Sequence, residues 1–264
     1  MNKYWAVLKM GWQDALEDRA EFFISFIGWL VRLGISIFLF AAIFSEKSEI
    51  SGFNLQNTIV YFIIVQVLTT LVFTRVGFVV GTDIQKGDLS NYLIKPISYL
   101  LFQILRQFSR NLMQVMFGIV FFIGLLAIVN LNFLIEFKLS YLLVGIVSML
   151  IGYAINICLV IIIGLSAFWI SNSSRLLFMF YAILSIFSGL MIPLDFFPPE
   201  VQKLLFHSPF PYIFYVPTQI LMGRIDLTAY LKLIPASIGF AIGLGILSYT
   251  LFKFGIKKYE AVGR

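Results

Sequence analysis

Residues 139–174 contain no charged side chain, and that one stretch excludes most of what a chain of this length could become. A continuous helix over it would measure about 50 Å at 1.5 Å per residue, more than the ~30 Å hydrocarbon core of a bilayer. No soluble core of this size can absorb it along with the other apolar runs. Apolar residues make up 60% of the chain and charged ones 12%, where soluble domains average roughly 45–50% and about 25%. The solvent for this surface is lipid. The expected fold is therefore all-α, a polytopic membrane protein whose backbone polar groups are paired within helices. A stretch longer than the bilayer must tilt, protrude or break. Gly145, Gly152 and Gly164 are places for a break; Gly164 with Ser166, and Gly145 with Ser148 and Gly152, would equally let another helix approach closely.

Further apolar runs predict six spans in all, at about 22–44, 57–80, 111–129, 139–170, 176–194 and 231–252. Ahead of them, residues 3–21 show helical periodicity. Trp5, Leu8, Trp12 and Leu16 fall on one face, and Asp14, Glu17, Asp18 and Glu21 on another, the pattern of an amphipathic helix in the headgroup layer. Such a helix either anchors the chain or also touches a partner. The first apolar run is longer than the core of a signal peptide, so the first span is expected to be retained. A turn is expected around residues 130–138.

The stretch from Ile192 to Asp226 holds six of the eight prolines. Pro193 stands at the edge of the expected fifth span. Pro198 and Pro199 suit the first turn of a short helix, with Val201, Leu204 and Leu205 on its apolar face. Pro209, Pro211 and Pro217 then prevent any long helix. Residues 195–230 are expected to form a re-entrant or interfacial segment between spans five and six, packed on the bundle because irregular backbone is not tolerated against lipid.

Six spans place both termini on one side. Lys3, Lys9, Arg19, Arg75, Lys86, Lys95, Arg106, Arg110, Arg175, Lys253, Lys257, Lys258 and Arg264 belong to that side; Lys47, Lys138, Lys203, Arg224 and Lys232 belong to the other. The positive-inside rule puts both termini and the polar stretch 81–110 in the cytosol, as in a multi-pass protein of a bacterial inner membrane. It also accounts for the net charge of +6 without invoking nucleic acid.

Several chemistries are missing. No phosphate-binding loop is present. The single His207 and single Cys158 exclude the ordinary zinc patterns and any intrachain disulfide. No carboxylate falls at a predicted mid-span position, against the habit of ion-coupled carriers. Arg32 is the one charge deep in a predicted span; it either meets an anionic substrate or headgroup, or makes an interhelical bond or snorkels. Gln66 and Asn156 could line a pathway or glue helices together, and the second is favoured.

The longest polar interruption runs GTDIQKGDLSNYLIKPISYLLFQILRQFSR, residues 81–110. Within it Lys86, Gly87, Leu89, Leu93, Pro96 and Ser98 follow a pattern that resembles the docking loop of the integral membrane subunits of ATP-binding-cassette exporters, type-2 permease class. The segment GLMIPLDFFPP, followed by PFPYIFYVPTQILMG, is similar to the outer motif of that family, and the bacterial branch with no implied substrate is the nearest. The resemblance implies an amphipathic N-terminal helix, six spans and a cytosolic loop 81–110 that docks on an ATPase. Asp83, Lys86, Asp88 and Lys95 would supply polar contacts there, with Leu89, Leu93 and Ile94 supplying apolar ones around Gly87 and Pro96. It further implies a dimer of permease chains, identical or related, with two cytosolic ATPase subunits that hold ATP and Mg, while this chain binds no cofactor. Largely uncharged spans favour a lipid, glycolipid or peptide cargo. The alternatives are an ion-coupled secondary transporter and a non-transporting scaffold or assembly factor.

Overall fold

The computed structural model describes residues 3–17, 19–129 and 139–259, and the expected turn at 130–138 lies outside them. The described helices are α1 (Lys3–Glu17), α2 (Arg19–Glu46), α3 (Leu55–Val72), α4 (Val76–Lys86), α5 (Ser90–Leu93), α6 (Tyr99–Val129), α7 (Leu139–Leu165), α8 (Ser173–Phe187), α9 (Pro199–Phe206), α10 (Tyr215–Leu221) and α11 (Leu227–Lys258). Among the described residues no strand forms beyond one bridge between Ile50 and Phe53. Among the described residues, four helical stretches are long and apolar enough to cross a bilayer: Ile27–Glu46, Leu55–Lys86, Leu139–Phe168 and Leu227–Lys258.

The uncharged stretch supplies the hub. Helix α7 receives α11, α4, α10 and α8 along its length. It runs unbroken through all three of its glycines, so their use is close approach. A Cβ on Gly164 would lie 2.5 Å from the carbonyl oxygen of Gly77 on α4, and one on Gly152 would lie 2.7 Å from the carbonyl of Tyr212. Helices meeting at such points touch backbone to backbone, which is the main source of van der Waals attraction where lipid offers no hydrophobic drive between helices.

Three expected spans have different limits. The second is two helices, α3 and α4, separated by the non-helical residues Phe73–Arg75. The third begins at Tyr99 rather than near 111, so most of 81–110 is helical: the end of α4, all of α5 and the first three turns of α6. Polar side chains there face neighbouring protein and water, which a helix accommodates as readily as a loop. The fifth stops at Phe187 rather than 194. Gly189 takes φ +85°, a left-handed conformation that favours glycine, and the chain turns back. At 15 residues α8 is about 22 Å long, short of the bilayer core.

The proline-rich segment fills the space beyond α8. Pro198 precedes and Pro199 opens α9, the place where a missing N–H costs nothing. On α9 Leu205 is buried, but Leu204 is 72% exposed, which corrects its expected place on the apolar face: Val201 and Leu205, one turn apart, share the inward side. Pro217 lies in the first turn of α10, whose residues Tyr215–Ile220 are all buried against α7 and α3.

Asp195 ties this end together. Its carboxylate accepts hydrogen bonds from the Tyr215 hydroxyl at 3.0 Å and the Gln219 amide at 2.7 Å, and the Arg224 guanidinium lies 3.7 Å over the Phe53 ring. Burial raises the Asp195 pKa above the usual carboxylate value, partly offset by the Tyr215 hydrogen bond and the Arg224 charge. Asp195→Leu leaves two buried donors unpaired and is expected to lower stability by about 1–3 kcal/mol, read from thermal denaturation in detergent. The raised pKa means that the folded state keeps its proton longer than the unfolded one. Above about pH 4, until the raised pKa is passed, this group's contribution therefore makes stability fall as pH rises. Asp195→Asn is expected to flatten that slope.

Candidate functional site

The segment from Asp83 to Ser98 is a compact projecting element. Gly87, at φ +84°, ends α4 in the left-handed conformation that reverses the chain, and the Leu89 N–H closes the turn on the Asp83 carbonyl at 3.0 Å. Leu89 is fully buried. It is the internal plug of the element rather than part of its exposed surface. Asp83 also turns inward, accepting hydrogen bonds from the Tyr99 hydroxyl at 2.6 Å and the Gln103 amide at 3.0 Å, both on α6.

Three other parts of the chain hold the element: α6, through Tyr99 and Gln103, then α1 and the stretch after α7. Lys3 of α1 donates to the Pro96 carbonyl at 2.8 Å. Gln85 donates to the Ser171 carbonyl at 2.9 Å, after the end of α7. The Tyr99 ring in turn ties α6 to α11, stacking on Phe252 at 5.8 Å. On α6, Arg106 pairs with Asp14 of α1 at 2.6 Å, and Ser109 donates to the Leu8 carbonyl. The element therefore shares one end of the bundle with α1 and the end of α11. It is bonded directly to α1, α6 and the stretch after α7.

Its outer surface carries the remaining expected residues. Lys86, Asp88, Lys95 and Pro96 are exposed. So are Leu93, at 43%, and Ile94, at 85%. Lys95 is drawn over the Tyr92 ring at 4.7 Å. Two apolar side chains thus project from a ring of mixed charge, the layout of a small protein-contact surface.

The three polar residues predicted within spans separate. Arg32 is exposed on the outward side of α2. Gln66 is buried on α3. Asn156 bonds helix to helix, donating to the Val72 carbonyl at 2.7 Å. In the outer segment Pro193 caps a single turn at Leu194–Phe196, while Pro198, Pro199 and Pro217 shape α9 and α10 as described. Sequence reasoning missed Asp195, Asn111 and Tyr181. Asn111 opens a long apolar run, the one signal that marked it; a tyrosine in a membrane span carries none.

No curated protein matches the chain. A family model described as ABC-2 family transporter protein matches residues 30–263, nearly all of the bundle from α2 to the end of α11 together with the projecting element. The chain belongs to the ABC-2 transporter family, as a membrane permease subunit of an ABC transporter.

Proposed function

We propose that this permease exports a hydrophobic or amphipathic cargo (a lipid, glycolipid or peptide) as a dimer, identical or of related chains, with two cytosolic ATPase subunits. ATP and Mg reside on those subunits. Residues 83–98 take up their motion on the cytosolic side of the inner membrane, beside both termini. The observation that carries this reading is the pairing of an exposed apolar tip, Leu93 and Ile94, with a base anchored to α1, α6 and the stretch after α7. A tip binds a partner; a stiff base passes on its displacement as rigid-body movement. Lys86, Asp88 and Lys95 around the tip set orientation and encounter rate more than affinity.

Affinity purification of the tagged chain in mild detergent, followed by ATP hydrolysis by the purified assembly, tests the proposal. The expected result is one ATPase per permease chain and Mg-dependent turnover. Recovery of the permease alone, with cargo movement that follows a proton or sodium gradient and survives ATP depletion, would replace it with an ion-coupled carrier. An assembly that hydrolyses ATP without responding to any cargo would favour a scaffold.

A further inference from the structure

The gap between α3 and α4 contains neither glycine nor proline, yet the helix stops there completely. In a continuous helix the carbonyls of Leu71, Val72, Phe73 and Thr74 would accept from the N–H groups of residues 75–78. Instead, all four are taken by side chains from three other helices. Asn111 of α6 donates to Leu71 at 2.5 Å and to Phe73 at 3.0 Å. Asn156 of α7 donates to Val72 at 2.7 Å, and the Tyr181 hydroxyl of α8 donates to Thr74. Thr74 Oγ1 accepts from the Val76 N–H at 3.2 Å and starts α4, while Gln107 orients Asn111 at 2.6 Å. Each carbonyl thus has two alternative partners of the same kind, an N–H of its own chain or an N–H or O–H of a neighbouring helix. Exchange between them conserves the number of carbonyl bonds, as a two-state element requires. Asn156 is buried and its Oδ1 has no partner in this state, so its amide holds an unused acceptor.

We infer that Phe73–Arg75 is a joint that alternates between this broken form and a continuous second span. Asn111, Asn156 and Tyr181 are the positioning residues that hold it broken. The inference rests on the proposal that residues 83–98 receive force from an ATPase. Because α4 leads directly into that element, straightening the joint moves the element relative to α3 and frees one side chain on each of α6, α7 and α8 at once. The movement of the arm is thereby passed to three helices of the bundle. Re-forming helix over three residues shortens the path by ~3–5 Å, from the difference in rise between extended and helical chain.

Spin labels at Gln56→Cys and Val79→Cys, in a Cys158→Ala background, report the length across the joint in lipid nanodiscs. With the ATPase bound, Mg-ATP is expected to shorten the distance by ~3–5 Å. Without the ATPase, Tyr181→Phe and Asn156→Leu are expected to shift the resting distribution toward the short form. Thr74→Pro locks the joint: Phe73 already has φ −68° and ψ 127°, the extended region required before proline, and a proline at 74 cannot rejoin the helix. It is expected to keep its ATPase and abolish the ATP-driven shortening, while Thr74→Val, which loses only the hydroxyl, retains it. An unchanged distance in the wild type during ATP turnover, or wild-type shortening in Thr74→Pro, overturns the joint. If no ATPase co-purifies with the wild type, the docking proposal fails, and the resting distances in Tyr181→Phe and Asn156→Leu decide the joint alone.

Discussion

Gly164→Leu is expected to leave no folded permease. The carbonyl oxygen of Gly77 lies 2.5 Å, and its Cα 3.0 Å, from where a Cβ would stand on Gly164. Both obstacles are backbone, so neither can swing aside as a side chain would. A Cβ on Gly77 would in turn meet the Val160 backbone and, at 2.8 Å, the Leu177 side chain, so α4 is held close between α7 and α8. Accommodating an isobutyl group means separating α4 from α7 and losing their shared contact along with the support of the projecting element. Overpacking a core costs about 1–3 kcal/mol where side chains can yield; here the cost is expected to exceed about 3 kcal/mol, enough to erase a marginal stability. Gly243→Leu is the control, because nothing lies within 4 Å of a Cβ at that position on α11. Size-exclusion elution in detergent is expected to show a single sharp species for Gly243→Leu and aggregate for Gly164→Leu. A sharp, thermally stable Gly164→Leu would mean that α4 and α7 do not meet as described.

The hub helix was legible because a long uncharged run in a chain this apolar has only one use, and the prolines marked where α9 and α10 had to be short. Helix limits set by distant partners were not legible. Phe73–Thr74–Arg75 has no breaking residue; its helix ends because Asn111, Asn156 and Tyr181, up to 107 residues away, supply better-placed donors to its carbonyls. Polar residues between Tyr99 and Arg110 suggested a loop, but Tyr99, Gln103 and Arg106 repeat at helical spacing, with partners on α4 and α1. The candidate site divided for a similar reason. Leu89 and Ile94 are both apolar residues in a short polar context, and only the Gly87 turn decides that the first plugs the element while the second projects from it.

That division makes Ile94→Asp and Leu89→Asp opposite experiments on neighbouring residues. Ile94 is 85% exposed, so a carboxylate there meets water in the free permease and costs the fold almost nothing. In the docking proposed above, the same carboxylate must be desolvated against the partner. At a central contact residue that is worth about 2 kcal/mol or more, a loss of roughly 30-fold or more in ATPase retention. Reversing a rim charge, as in Lys86→Glu or Lys95→Glu, is expected to act mainly on association rate and to fade with added salt. Leu89 is fully buried, and an aspartate there places an unpaired charge beneath the turn, where it costs several kcal/mol. Leu89→Asp is therefore expected to unfold the element and lose the ATPase together with thermal stability. Ile94→Asp loses the ATPase with a melting temperature unchanged. Co-purification and melting measured on the same preparations separate the two. If Ile94→Asp retains the ATPase at the wild-type ratio, the contact lies elsewhere on this end of the bundle, and the exposed Trp5 and Lys9 face of α1, held to the same element by Lys3, becomes the surface to mutate next.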